Sequence, residues 1–263
     1  MKQFSAKVVK NTQIADNFFE LVLSADEPLT APCPGQFLTL RVNSATTPLL
    51  RRPFAYAGVV SENPSQFAII YQKRGNATEI LAGKQLNDSV DCIGPLGNSF
   101  PLPTVHEAAV LVAGGIGLGP ILFLASELSK QKIPFIFIFG CRNKNFIPTT
   151  SLFSIYNPII CTDDGSSGFK GTTADYLSTN FSSIPKNSVF YACGPDRMLE
   201  ACCQFATKHN ARCWVSVEQV MACGVGACMG CVVKVKSEQK YVRACKEGPV
   251  FDGEYLVWGE PTK

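Results

Sequence analysis

The feature that most restricts the fold of this chain is a change of hydrophobic rhythm near residue 104. Before it, AKVVKNTQI, FFELVLSA, GQFLTLRV, FAYAGVV and QFAIIYQK are short alternating or continuous apolar runs separated by Pro, Gly and Asn. Such runs read as β-strands, and their close spacing predicts an antiparallel barrel or sandwich. After it, EAAVLVAGG, PFIFIFGC, NPIICT and SVFYACG read as buried strands, while GPILFLASELSKQK, TTADYLST and MLEACCQFATKHN read as helices. Strands that alternate with helices predict a parallel α/β sheet. Beyond residue 213 the chain is rich in Cys and Gly, with short strands expected at CVVKVK and EYLVW. The expected organisation is a β-barrel domain at 1–103, a parallel-sheet α/β domain at 104–212 and a small C-terminal domain at 213–263.

Charge narrows the function. The net charge is +3, with Lys and Arg scattered along the chain, whereas a nucleic-acid binder needs a basic stripe to neutralise phosphates. No stretch has the length and apolarity of a membrane span, and the first residues lack a continuous apolar signal core, so the expected location is the cytoplasm. Of the 12 cysteines, three crowd into the segment VMACGVGACMGCVVKV. In a reducing compartment, such crowding points to metal ligation before disulfides.

Cys223, Cys228 and Cys231 have C-x4-C-x2-C spacing, and Cys245 follows after thirteen residues. That is the plant-type pattern in which four thiolates hold a [2Fe–2S] cluster. The interleaved Gly224, Gly226 and Gly230 suit a loop that must adopt unusual backbone angles and approach inorganic sulfide closely. A structural zinc site is the alternative, but it usually pairs short C-x2–4-C knuckles, which the gaps here do not form. A Rieske centre needs two histidine ligands, and the only histidines, His106 and His209, stand far from the cysteines in the sequence.

A [2Fe–2S] centre takes one electron at a time and a nicotinamide gives up two as hydride, so a flavin is expected between them. Arg51, Arg52 and Pro53 precede the run FAYAG, and guanidinium groups suit a pyrophosphate. In RGNATEIL, Gly75 and Thr78 stand before a short helical run that Thr78 can cap, leaving helix-start amides to face an anion. Taken singly, each feature reads more readily as solvated surface than as a flavin site. LVAGGIGLGPILF joins a strand to a helix through Gly114, Gly115, Gly117 and Gly119, a turn suited to a pyrophosphate or simply a tight connection.

The order of these motifs carries a family resemblance. RPFA at 52–55, G-x-x-T at 75–78, GPLGNSF at 94–100, GGIGLGP at 114–120, TDDGSSGFKG and CGPDRML follow the order of the ferredoxin-reductase superfamily. With the cysteine segment added, the chain resembles the electron-transfer subunits of class 1B dihydroorotate dehydrogenase. The resemblance implies FAD on the barrel, with Arg52 at its phosphate, Phe54 and Ala55 along the ring and Pro53 also in the FAD site. Ala55 stands where the family usually has Ser, and GNAT at 75–78, with Asn76 and Ala77, stands where the family tends to have G-x-G-T, with Thr78 retained. The resemblance also implies NADH at Gly114, Gly115, Gly117, Cys193, Gly194 and Pro195, with Cys193 positional and no catalytic nucleophile in the chain. Arg142 is a possible contact for a 2′-phosphate. The implied partner is an FMN-containing dihydroorotate dehydrogenase catalytic subunit, in a heterotetramer with two copies of each chain. The alternatives are a reductase subunit serving a hydrogenase or ferredoxin, a stand-alone flavin reductase, and a cluster-bearing redox sensor without flavin.

Overall fold

The computed structural model describes residues 1–59 and 65–259. Val60, the last residue of the strand expected at FAYAGVV, lies outside them. Strands β1 (Lys2–Ala15), β2 (Phe18–Ala25), β3 (Phe37–Arg41), β4 (Arg52–Val59), β5 (Gln66–Gln72) and β6 (Ser89–Leu96) close into an antiparallel barrel in the order β1-β2-β5-β4-β3-β6. Helix α1 (Asn76–Ala82) links the last two strands. The five runs read as strands form, and β6 is a sixth that the reading passed over. Asp91, Gly94 and Pro95 interrupt its apolar appearance, yet Val90, Cys92, Gly94 and Leu96 turn inward at the period of a strand.

β3 has a different neighbour on each face. Leu38 and Leu40 enter the barrel core, whereas Phe37 packs outward into a core shared with the C-terminal segment. Pairing places Pro53 opposite Thr39 and Ala55 opposite Phe37.

Beyond the barrel come β7 (Ala108–Gly114), α2 (Leu118–Lys130), β8 (Phe135–Cys141), α3 (Ser151–Ser154), β9 (Ile159–Thr162), β10 (Phe169–Lys170), α4 (Thr173–Thr179), β11 (Ser188–Cys193), α5 (Asp196–Lys208) and β12 (Cys213–Ser216). All pair in parallel in the order β10-β9-β8-β7-β11-β12. In β7, Ala109, Leu111 and Ala113 face a core with α2, while Val110 and Val112 face the core with α4 and α5. α2 is apolar on nearly every side because it is wedged between this sheet and the barrel, with Gly119 against Ala57 and Ile70.

The expected division at residue 213 falls on the first residue of β12, which lies inside the sheet. The chain then forms a hairpin of β13 (Val232–Lys234) and β14 (Tyr241–Arg243). It returns as β15 (Val250–Asp252), antiparallel to β12 at the sheet edge. CVVKVK thus becomes β13, but EYLVW is not a strand. It forms a turn in which only Leu256 makes an isolated bridge, to Val235. Among the described residues, no helix is long and apolar enough to cross a membrane.

Candidate functional site

The cysteine loop is assembled by the β13–β14 hairpin. Val232 pairs with Arg243, and the Ala244 amide donates to the Cys231 carbonyl at 2.8 Å, so thirteen intervening residues fold away and Cys245 returns beside Cys231. The thiols form two pairs in hydrogen-bonding reach, Cys223 with Cys228 and Cys231 with Cys245. Among the described residues no three Cys, His, Asp or Glu side chains converge on one point, as a single zinc ion requires. Two thiol pairs suit two irons.

The loop is shaped for sulfur anions. The amides of Cys228 and Gly230 donate to Cys223 Sγ and Cys228 Sγ at 3.4 Å, Gly226 N to Cys245 Sγ at 3.1 Å, and Cys245 N to Cys231 Sγ at 3.4 Å. Burial opposes ionisation of Cys223, but the amides of Val225, Cys228 and Ala227 and the Cys228 thiol outweigh it, holding its pKa to about 6. At Cys245, burial and the Cys231 thiol win instead and push it up to about 12. A nest of amides around crowded thiols lacks only positive charge, which iron supplies, so the residues present fit the cluster. Cys231 and Cys245 are buried in one core with Phe37 and α5, whereas Cys228 is exposed beside Val225 and Met229. Gly224 has φ +67°, and a Cβ there would lie 2.8 Å from Thr39 Cγ2, so glycine lets the loop rest on β3.

On the barrel, the arginine pair divides its labour. Arg51 forms a salt bridge with Asp91 of β6 and donates to the Asp91 carbonyl at 2.8 Å, which makes it structural. Among the described residues Arg52 donates only to backbone, to Leu50 O at 2.5 Å and weakly to Arg51 O at 3.5 Å, so much of its fork has no partner there. Pro53, Phe54 and Ala55 follow as a half-buried strip, with Phe54 edge-on to Tyr71 at 6.0 Å.

Thr78 differs from expectation. The residue at the cap is Gly75, in extended backbone, and Thr78 works from inside the first turn. Its hydroxyl accepts from the Arg74 amide at 2.8 Å and the Gly75 amide at 3.1 Å. Those two amides are therefore spoken for, and only helix-start amides beyond them remain for an anion.

The glycine-rich turn and the C-G-P turn form one unit at the C-terminal ends of β7 and β11. Strand order reverses there, which is where open α/β sheets bind ligands. Gly117 allows the close contact, because a Cβ would lie 2.2 Å from the Cys193 carbonyl oxygen. Cys193 itself is 3% exposed, and burial first and Glu218 second raise its thiol well above the ordinary range. It is a neutral side chain behind the wall, while Gly114, Gly115, Gly194 and Pro195 line the wall itself.

The cleft at this point has a volume of about 750 Å³ and runs between sheet and barrel. Arg142 reaches it, as do Arg74, Arg197, Thr173 and Glu218, which the motif reading did not single out. Arg74 and Arg197 adjoin recognised motifs, so their neighbourhood was the available signal. Thr173 and Glu218 are placed by topology alone. Guanidiniums at the cleft suit a dinucleotide pyrophosphate. The cleft walls first, and Asp196 second, raise the Glu218 carboxyl above its ordinary value against the pull of Arg74, although water still reaches it.

A closed barrel, a switch-point cleft and a four-cysteine loop define a reductase of the ferredoxin-reductase fold carrying an iron–sulfur segment. The model of the iron-sulfur cluster binding domain of dihydroorotate dehydrogenase B matches residues 218–257. The dihydroorotate dehydrogenase B (NAD(+)) electron transfer subunit of Geobacillus sp. (strain WCH70) is 37% identical over 98% of this chain and 99% of its own length. That of Desulforamulus reducens is 35% identical over the same shares. The chain belongs to the family of dihydroorotate dehydrogenase B electron transfer subunits. Among solved structures, an NADH-dependent reduced ferredoxin-NADP oxidoreductase described for flavin-based electron bifurcation superposes with TM-score 0.85 and 27% identity, over 96% of this chain and 90% of that one. Phthalate dioxygenase reductase shares the fold, with TM-score 0.64 and 20% identity, over 89% of this chain and 87% of that one.

Proposed function

We propose that this chain moves electrons from NADH through FAD and a [2Fe–2S] cluster to the FMN of a separate dihydroorotate dehydrogenase catalytic subunit, in a cytoplasmic heterotetramer. Bound FAD supplies the exchange between two-electron and one-electron transfer. The chain's own residues position and insulate. Arg52 meets the FAD phosphates, and Pro53, Phe54 and Ala55 give the ring a half-buried strip. Gly114, Gly115, Gly194 and Pro195 form the floor against which the nicotinamide end rests, with Arg74, Arg142 and Arg197 available to its phosphates. Gly75 and Thr78 hold the loop before α1.

The observation that carries this reading is the placement of the cysteine loop. Its inner pair is buried against barrel strand β3, and its outer pair reaches the surface at Cys228. That is a path from barrel to exterior. Between Cys223 and Cys231 the loop carries no charged residue, and Met229 and Val225 are exposed, which suits lasting docking over a brief charge-steered encounter.

Co-expression with the catalytic subunit, size-exclusion chromatography and an assay of NADH-dependent orotate reduction test the proposal. A chain that elutes alone and reduces only ferredoxin-type acceptors would favour a second reading, to which the 27% identical bifurcating reductase points.

A further inference from the structure

We infer that the Thr39 hydroxyl is the barrel's hydrogen-bond donor to the cluster, and that it raises the cluster's reduction potential. The inference rests on the reading that Cys223, Cys228, Cys231 and Cys245 hold a [2Fe–2S] cluster. Thr39 lies on β3, is 2% exposed, and its Oγ1 is fully enclosed with no partner among the described residues. A buried hydroxyl left unpaired gives up its hydrogen bonds to water with nothing in return. The strand ladder does not require that hydroxyl, because backbone groups make it.

Position tells which ligand the hydroxyl serves. Thr39 shares its face of the barrel with Phe37 and with Ile93, its partner on β6, and both pack in the core that holds Cys231 and Cys245. Its methyl carbon meets Gly224, the residue after Cys223, at a spacing that leaves no room for a Cβ. Because Thr is β-branched, seating the methyl under the loop fixes where the hydroxyl points. The flavin strip at 52–55 is half open to solvent, whereas Oγ1 is fully enclosed on the residue whose methyl carries the cysteine loop. The sealed side is the cluster's.

The other enclosed hydroxyls without partners lie elsewhere. Tyr56 Oη abuts Gly94 in the barrel, Thr173 lines the nucleotide cleft, and Tyr191 packs on Phe100. A hydrogen bond donated to cluster sulfur stabilises the more negative, reduced form, so Thr39 makes reduction by the flavin easier.

The test compares the full chain, loaded with FAD and cluster, as wild type, Thr39→Val and Thr39→Ser. Iron and flavin are quantified, and the cluster's midpoint potential is measured by EPR-monitored redox titration. Val keeps the shape and removes the hydroxyl; Ser keeps the hydroxyl and removes the methyl. Thr39→Val is expected to lower the equilibrium constant for cluster reduction about tenfold, equivalent to about 59 mV for a one-electron couple. Thr39→Ser should stay near wild type, and the flavin potential should not move. Loss of cluster in Val alone would also support the hydroxyl's role. Equal potentials in Val and wild type overturn the inference, as does a shift or cluster loss shared by Val and Ser, which would assign the effect to the methyl. A wild-type chain without two irons would instead refute the cluster reading itself.

Discussion

Asn98 is the joint between the barrel and the C-terminal segment, and Asn98→Ala should loosen it measurably. Its amide nitrogen donates to the carbonyls of Glu247 and Val250 at 2.9 and 2.8 Å, and its Oδ1 accepts from the Val250 amide at 2.9 Å. Alanine removes all three bonds. The Val250 amide is the costly loss, because Val250 is 2% exposed and its N–H would be left without an acceptor, at about 1–3 kcal/mol. The two carbonyls each lose a donor, a net loss of about 0.5–1 kcal/mol each. The total of about 2–5 kcal/mol should reduce protection of the Val250 amide against hydrogen exchange by roughly thirtyfold to several thousandfold. Amides in the core of β1 and β2 should not change. Unaltered exchange at Val250 would refute the reasoning, and a uniform loss across the barrel would show that Asn98 supports global rather than local stability.

Five further outcomes are expected. Arg52→Ala should weaken FAD binding by about 1.5–3 kcal/mol, on the scale of hydrogen bonds to charged groups. Arg51→Ala, by freeing Asp91, should lower thermal stability with a smaller effect on flavin affinity measured by fluorescence titration. Cys245→Ser should abolish the cluster while FAD stays bound, and retention of two irons per chain would remove Cys245 from the ligand set. Hydrogen bonding to Arg243 holds the Glu247 carboxyl down to about 2, so its contribution is complete above the ordinary carboxylate range and fades as pH falls toward that value. Wild type should therefore lose thermal stability relative to Glu247→Gln between about pH 5 and 3, and parallel profiles would refute this. Ala55→Ser should alter the stopped-flow rate of flavin reduction by NADH, and identical rates would place position 55 away from the reacting ring.

Local chemistry was legible in the sequence and convergence was not. The thiolate spacing at 223–245 and the glycine turn at 114–117 are covalently local, so their patterns survive in one dimension. The buried strands β7, β8 and β11 are long enough to show themselves. β15 has three residues, too few for any period, and exists because β12 offers it an edge. EYLVW has the composition of a strand but follows Gly253, where the chain turns under Cys213 and Cys203. Thr173 and Glu218 line the cleft with Arg74 from separate segments, and nothing in the immediate sequence of Thr173 or Glu218 announces it. GPLGNSF read only as a family signature, yet Asn98 and Gly97 are the points where barrel and return strand touch.

β15 also bears on how the sheet is kept from joining another chain. An unpaired strand edge is a template for joining another chain, and proteins guard such edges with short strands or covering segments. Here the guard for β12 is a three-residue strand delivered by residues just beyond Cys245. Asn98 of the barrel grips Val250 on that strand, so the joint between barrel and return strand also keeps the edge of β12 covered.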